Sequence, residues 1–564
     1  MIEEKIKELI KKAVLKSQED FSDEINLSTP QLQFGDFSSN IALILAKKMK
    51  RNPMELAEEI KSHMDSHEDI ESVQVLKPGF INVWLSKTAL IIPLEQAVNE
   101  TFVIPPFSYG PEKKVMVEFA HPNTHKLLHI GHLRNIATGE SVCRMLAAAG
   151  NKVIRTNYQG DVGLHIAKCL WGVKARIKKD GEALFEKLTL QEKIQLLGKG
   201  YSEGQTAYDA DEKAKAEIIE INKQIYIQDP QIKELWIATR EWSVAYFEER
   251  YKRLYSHFDR CYFESEVHEQ GLKTAKELLE KGILEKSQGA VVFNGEKYGM
   301  DTRVFINSLG FPTYEGKELG LAPKEFSDFG TLDKAIHVVT PEQTSFFKIT
   351  FKVEELWDKE KYGNKQYHLA YEWVKLKDGK MSSRTGNVIE ASWLLDEIKK
   401  KILERFKNAG DIVETLAVAA VKYSFLKNAT NSIISFDIDE SVSLDGNSAP
   451  YLLYTYVRTK SILSKETENS GQYPKEITPD EKQILRLIYQ YTDKVYKAAS
   501  TLSPNILAGY LYELCREYNV FYQKNPILKA DPDQKYIRIT ITKAVSNIIK
   551  HGLDLLGIKT VQKM

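Results

Sequence analysis

Cysteine is scarce in this chain: 564 residues hold four, Cys143, Cys169, Cys261 and Cys515, and no two stand in a CxxC pair. That scatter argues against a disulfide framework and a thiolate zinc site, and it fits a reducing, cytosolic setting. No apolar run approaches the length of a membrane span, so no membrane partner is expected. Neither GxGxxG nor a Walker A string occurs, which removes the usual sequence marks of dinucleotide and P-loop sites. Net charge is also lacking, because 78 Lys and Arg balance 78 Asp and Glu. The balance is uneven along the chain. Residues 446–564 carry 17 Lys and Arg against 11 Asp and Glu, a basic portion suited to a polyanion. The first residues, MIEEKIKELIKKAVLK, mix both charges at helical spacing and match neither a secretory signal nor an acid-poor transit peptide.

What is present begins with length. At 564 residues, 43% hydrophobic and 28% charged, the chain reads as three or four globular domains. The most informative stretch is His121–Asn135, HPNTHKLLHIGHLRN. A short apolar run, Val115–Ala120, precedes it. Leu133, Ile136, Ala137, Met145, Leu146 and Ala149 follow at helical spacing, and Gly150 is a natural stop. The order is strand, turn, helix. His129 and His132 would share a face of the first helical turn, and Gly131 would let a ligand approach bare backbone. A helix N-terminus favours an anion, so two imidazoles beside it suggest a phosphate at which charge develops.

A second stretch, Lys380–Asn387 (KMSSRTGN), follows another β-like run, Tyr371–Leu376. Lysine, small hydroxyl residues, arginine and glycine make a basic loop able to close over phosphates. Either stretch alone is weak; together, each after a strand, they resemble the HIGH and KMSKS signatures of class I aminoacyl-tRNA synthetases. The wording VEFAHPN…K…HIGHLRN and KMSSRTGN resembles the arginyl-tRNA synthetase version of both.

The rest of the chain extends that resemblance. Residues 1–105 read as an α+β unit, with Asn52-Pro53-Met54-Glu55 as a helix start and Pro78–Leu85 as a turn and strand. FGDFSSNIA and PGFINVWL resemble the family's N-terminal additional domain, which contacts tRNA; Phe80 and Asn82 fall on its base-contact positions. Residues 110–390 alternate strands and helices, as in a Rossmann-type parallel sheet. A charged, helical insertion is expected over about 172–290. Residues 391–445 read as a helical connection, and 446–564 as an all-α bundle. The bundle resembles the family's anticodon-binding domain, with Tyr456, Arg458 and Tyr518 as candidate tRNA contacts. The expected fold is therefore multidomain α/β: a Rossmann-type catalytic domain between an α+β N-terminal domain and a C-terminal helical bundle.

The resemblance implies an arginine–tRNA ligase. Arginine's carboxylate attacks the α-phosphate of ATP, and the adenylate passes to the 2′-OH of the terminal adenosine of tRNA(Arg). ATP, assisted by Mg²⁺, and tRNA are the implied partners, a monomer is the expected state, and tRNA is expected to be needed for activation. ATP contacts fall on His129, Gly131, His132, Lys380, Met381, Ser382 and Ser383, with Arg384 beside the departing pyrophosphate. The usual loop lysine is replaced by Ser383, and Lys126 stands where such family members carry a substitute. Arginine contacts fall on Glu118, Asn123, Tyr314, Glu318 and Gln343, with Glu318 where aspartate is more usual. A permanently charged, forked guanidinium needs such carboxylates, and lysine would leave part of their hydrogen bonding unmet. No protein-held metal is expected.

Competing readings explain less. A small-molecule adenylyltransferase has no use for two flanking tRNA-like domains, and a non-catalytic relative has no reason to keep His129, His132 and Lys380. The cysteine enzyme would want a zinc site, and the glutamate and glutamine enzymes basic residues where Glu118 and Glu318 stand.

Overall fold

A computed structural model describes residues 2–18, 20–105, 112–181, 187–377, 389–406, 410–466 and 471–564. The N-terminal unit holds a four-stranded antiparallel sheet of β1 (Leu27–Ser28), β2 (Phe37–Ser39), β3 (Ile70–Leu76) and β4 (Phe80–Leu85), in the order β1-β2-β4-β3. Helices Ile41–Met49 and Pro53–Ser62 pack against β4. Pro53–Ser62 begins as the sequence predicts, with Asn52 Oδ1 accepting from the Met54 N–H at 2.9 Å.

The centre is a parallel sheet of β5 (Lys114–Glu118), β6 (Lys152–Gln159), β7 (Arg260–Phe263), β11 (Lys334–Val339) and β12 (Gln366–Ala370), ordered β12-β11-β5-β6-β7. Counted in chain order that is 3-2-1-4-5 read from the other edge, the doubly wound arrangement, with its reversal between β5 and β11. The helix Ile130–Ala148 crosses from β5 to β6 and lies close on the sheet. A Cβ on Gly139 would sit 2.3 Å from the Phe119 ring, so only glycine permits that approach. A smaller antiparallel sheet, β8 (Glu285–Ser287), β9 (Ala290–Phe293) and β10 (Arg303–Ile306), stands apart.

Three expectations are corrected. The insertion is not helical throughout 172–290: after the helix ending at Arg253, β7 joins the sheet, and the helix Glu264–Glu280 then leads to β8. Of β7 only Tyr262 is buried, and the four residues RCYF at the sheet edge are too few to show a strand period. The run Tyr371–Leu376 is not one strand; β12 ends at Ala370 and a separate β13 (Val374–Leu376) follows. The connection after 391 is not purely helical either, because β14 (Ile434–Phe436) pairs with β13 in parallel.

Helices Ala449–Leu463, Pro479–Ser500, Pro504–Lys524 and Pro532–Leu555 form the C-terminal bundle, each with proline in its first turn, where a missing N–H costs nothing. The bundle shares one apolar core with the N-terminal unit and the signature helix. Asn547 Nδ2 donates to the carbonyls of Ala97 and Val98, both at 3.0 Å, and Arg486 Nη2 to that of Pro30 at 2.8 Å.

Candidate functional site

The site begins where β5 gives way to the signature helix. His129 is the N-cap of Ile130–Ala148, and its Nδ1 accepts from the Gly131 N–H at 3.1 Å. His132 Nδ1 accepts from the His129 N–H at 3.0 Å. Each imidazole thus spends Nδ1 as an acceptor, which leaves its proton on Nε2 as a donor. Burial and the nearby Lys126 charge hold His129 below its ordinary range. Burial and the charges of His129, His121 and Lys126 hold His132 well below it. Two neutral rings, 3.8 Å apart, therefore sit at a positive helix end.

Both rings line a cavity of about 650 Å³. Lys126, Asn123, Leu128, Tyr201, Gln205 and Glu390 contribute to its walls. The Lys126 ammonium lies 5.6 Å from the Tyr201 ring centroid, and burial and the Lys168 charge lower its pKa. The turn feeding this wall is strained: Ala120, His121 and His125 hold φ of 79°, 48° and 63°. His125 is locked there between Thr124 and Thr239, at 3.0 and 2.8 Å. Asn123 Oδ1 occupies the space where a Cβ on Gly160 would fall, 2.2 Å away.

Lys380, Met381, Ser382, Ser383 and Arg384 lie outside the described residues. The segments flanking them are fixed at the histidines. After them, the Ile130 N–H donates to the Ile389 carbonyl and the Ala391 N–H to that of Leu128, both at 2.9 Å. Before them, the buried Arg134 donates to the carbonyls of Glu372 and Trp373 at 2.6 and 3.1 Å. It also reaches those of Ala429, Thr430 and Ser432 at 3.0–3.2 Å.

A second cluster lies at the β5–β11 reversal. Glu118 ends β5, is 2% exposed, and holds His337 Nδ1 at 3.0 Å through Oε1. Burial alone would raise its carboxyl, but the hydrogen bond and charge of His337 hold it at about 2. Glu318 and Glu325, seven apart on the helix Tyr314–Asp328, are also buried, as is Glu354 on the helix Thr344–Trp357. Burial, with the added charge of Glu118, pushes Glu318 up to about 7 and Glu325 well above the carboxylate range. Burial and Glu318 push Glu354 up to about 8. Glu318 Oε1 is buried with no hydrogen-bond partner, while the Glu118 carboxylate, held by His337 through Oε1, also accepts from the protonated Glu325 carboxyl. Unpartnered buried acceptors are costly until a donor arrives, and a guanidinium is all donors.

The structure therefore brings His129, Gly131, His132, Lys126 and Asn123 around one turn, and Glu118 and Glu318 into one cluster. Tyr314 is 71% exposed on the first turn of its helix, and Gln343 is exposed in the single turn after β11. Three expected tRNA contacts are corrected. Asn82 is spent internally: Oδ1 accepts from Ser38 Oγ and Nδ2 donates to the Phe34 carbonyl, both at 2.7 Å. Tyr456 and Tyr518 are buried in the bundle, Tyr518 Oη donating to Thr542 Oγ1 at 3.1 Å, so neither offers a stacking face. Phe80 is half-buried at the start of β4. Arg458 lies between the rings of Tyr454 and Tyr522, at 4.8 and 5.1 Å, both rings 39% exposed. Sequence reading missed His337, Glu325, Glu354 and Arg134. Only His337 left a trace, as a lone titratable residue inside the apolar run Ala335–Val339.

Comparison with known proteins bears on all three regions. Family models match residues 1–85 as an arginyl tRNA synthetase N-terminal domain, 105–437 as a class I (R) tRNA synthetase catalytic domain, and 452–564 as a DALR anticodon binding domain. The arginine–tRNA ligase of Bdellovibrio bacteriovorus is 31% identical over 582 residues, covering 99% of this chain and 98% of that one. That of Fusobacterium nucleatum is 32% identical over 559 residues, covering 96% and 95%. In fold, the chain is similar to Thermus thermophilus arginyl-tRNA synthetase, with TM-score 0.83, 24% identity and full coverage of both chains. It is similar also to the Plasmodium falciparum arginyl-tRNA synthetase, with TM-score 0.82 and 23% identity over 100% and 99%.

Proposed function

Since this chain belongs to the arginyl-tRNA synthetase family, we propose that the histidine cavity and the buried carboxylate cluster divide its reaction between phosphate and guanidinium. The reaction is arginine–tRNA ligation, driven by ATP. Arginine's carboxylate attacks the α-phosphate, pyrophosphate leaves, and the 2′-OH of the terminal tRNA adenosine then takes the arginyl group.

The histidines donate from Nε2 as negative charge grows on the phosphate oxygens, and they need no proton transfer to do it. Lys126 supplies a cation beside them, in the role that Ser383 cannot fill. Lys380 and Arg384 serve the departing pyrophosphate. ATP enters as its Mg²⁺ complex, which offsets phosphate charge; among the described residues no cluster of three ligating side chains forms a separate cage for the ion. Glu118 and Glu318 take the guanidinium; Asn123, Tyr314 and Gln343 take the amino-acid end. The observation that supports this best is the buried Glu118 carboxylate, held ionised beside the unpartnered buried Oε1 of Glu318 at the sheet's reversal, the position where ligands of such sheets bind.

The C-terminal DALR domain binds tRNA. We assign Arg458 and its flanking rings to that contact, with Phe80 at the N-terminal unit. Working limits of 1–105, 110–390 and 446–564, a monomeric state and a cytosolic setting complete the proposal. Arginine-dependent ATP–pyrophosphate exchange, with and without tRNA(Arg), tests it. Exchange with arginine and none with lysine is expected; equal exchange with both would contradict the guanidinium assignment.

A further inference from the structure

We propose that His337 is a positioning residue for arginine recognition: through the relay Glu118–His337–Gln366–Glu354 it fixes the Glu118 carboxylate for the guanidinium without touching the substrate. The proposal rests on Glu118 being a guanidinium ligand, and it adds a residue outside the arginine contacts assigned above.

The placement follows from register. Glu118 and His337 are partners across the parallel β5–β11 pair, so their side chains leave the same face of the sheet at the reversal. His337 is fully buried, with Phe347 and Phe351 ring centroids 5.2 and 5.5 Å from its own. Its Nδ1 lies 3.0 Å from Glu118 Oε1 and its Nε2 2.8 Å from Gln366 Oε1. Gln366 is oriented in turn, because its Nε2 donates to Glu354 Oε2 at 2.8 Å. Both ring nitrogens therefore face acceptors, and the ring carries both protons. Glu318 adds negative charge from the neighbouring helix, and His337 is raised to about 9 in consequence of these partners.

One consequence is geometric. The relay holds Oε1 of Glu118 and so fixes the orientation of the whole buried carboxylate. The other is electrostatic. Glu118 is fully buried, which by itself would drive it to take up a proton and lose its grip on a cation. The imidazolium keeps it ionised.

The test is exchange kinetics of the full chain with tRNA present. His337→Ala should raise the KM for arginine by about 10- to 100-fold, with a smaller change in kcat, because the lost interaction acts on substrate binding. The KM for ATP should stay within about two-fold, since the phosphate site is separate. His337→Asn places an N–H near the Nδ1 position and should recover much of the loss. Gln366→Leu leaves the ring in place without its second acceptor and should give a smaller rise in arginine KM alone. If His337→Ala does not fold, His337→Asn and Gln366→Leu carry the test, and native arginine KM in Gln366→Leu would overturn the relay. An arginine KM unchanged in folded His337→Ala would overturn it, as would equal losses in Ala and Asn. If Glu118→Gln keeps the native arginine KM, the guanidinium assignment beneath the proposal falls instead.

Discussion

Single residues carry most of the chemistry, and their charges set how it should vary with pH. Glu318 and Glu354 are raised from 4.5 to about 7 and about 8, and His337 from 6.5 to about 9. For each, the folded pKa exceeds the unfolded one, so its stabilising contribution is present at low pH and lost as pH climbs through the folded value. Glu118 runs the other way: its contribution is present above 4.5 and lost as pH falls through about 2. The ligand-free protein should therefore lose melting temperature between about pH 4.5 and pH 9. Arginine binding near pH 6 should release a proton from Glu318, and arginine should bind more tightly near pH 8. Calorimetry in buffers of different ionisation enthalpy reads the release directly; the same heat in every buffer would contradict it. At the phosphate end, Lys126→Ala should slow adenylate formation by roughly 10²–10³ and leave tRNA binding nearly unchanged. Adding Ser383→Lys should recover part of that loss, since both side chains would serve one ligand. Native rates in Lys126→Ala would remove Lys126 from the site.

Elements decide which of these residues could be seen in advance. The signature helix was legible because an apolar face at threes and fours follows a capping turn, and its two histidines fall on that cap. Glu118 was legible through its neighbours, as the residue just before the turn. The strand order was legible only as a class. Glu325 and Glu354 look like surface charges in helices rich in Glu and Lys, and burial alone makes them part of the cluster. Tyr456 and Tyr518 show the converse: aromatic spacing that suits stacking belongs here to the bundle's core. Arg134 reads as an ordinary helix arginine, yet its guanidinium meets five backbone carbonyls from two segments. Arg134→Met should destabilise the protein by about 3 kcal/mol or more, because those buried carbonyls lose their donors together. Denaturant midpoints check this, and a shift equivalent to less than about 1 kcal/mol would show that the carbonyls find other partners.

Across the whole molecule, the three regions share a continuous core. Lys422, fully buried, donates to the carbonyls of Leu254 and Gly557 at 2.6 and 2.7 Å, tying the end of the insertion to the C-terminus. Removing the chain beyond 390 would strip the signature helix of its packing, so tRNA binding is better probed by surface substitution. Arg458→Ala should weaken tRNA affinity and flatten its salt dependence, while Tyr518→Phe should leave both unchanged. The division of labour between the two ends of the site is tested most directly by one measurement: arginine-dependent ATP–pyrophosphate exchange of Glu118→Gln against the native chain, with tRNA present. The arginine KM should rise by about 100-fold while the ATP KM holds. An unchanged arginine KM, or an equal rise in both, would contradict the placement of the guanidinium at the β5–β11 reversal.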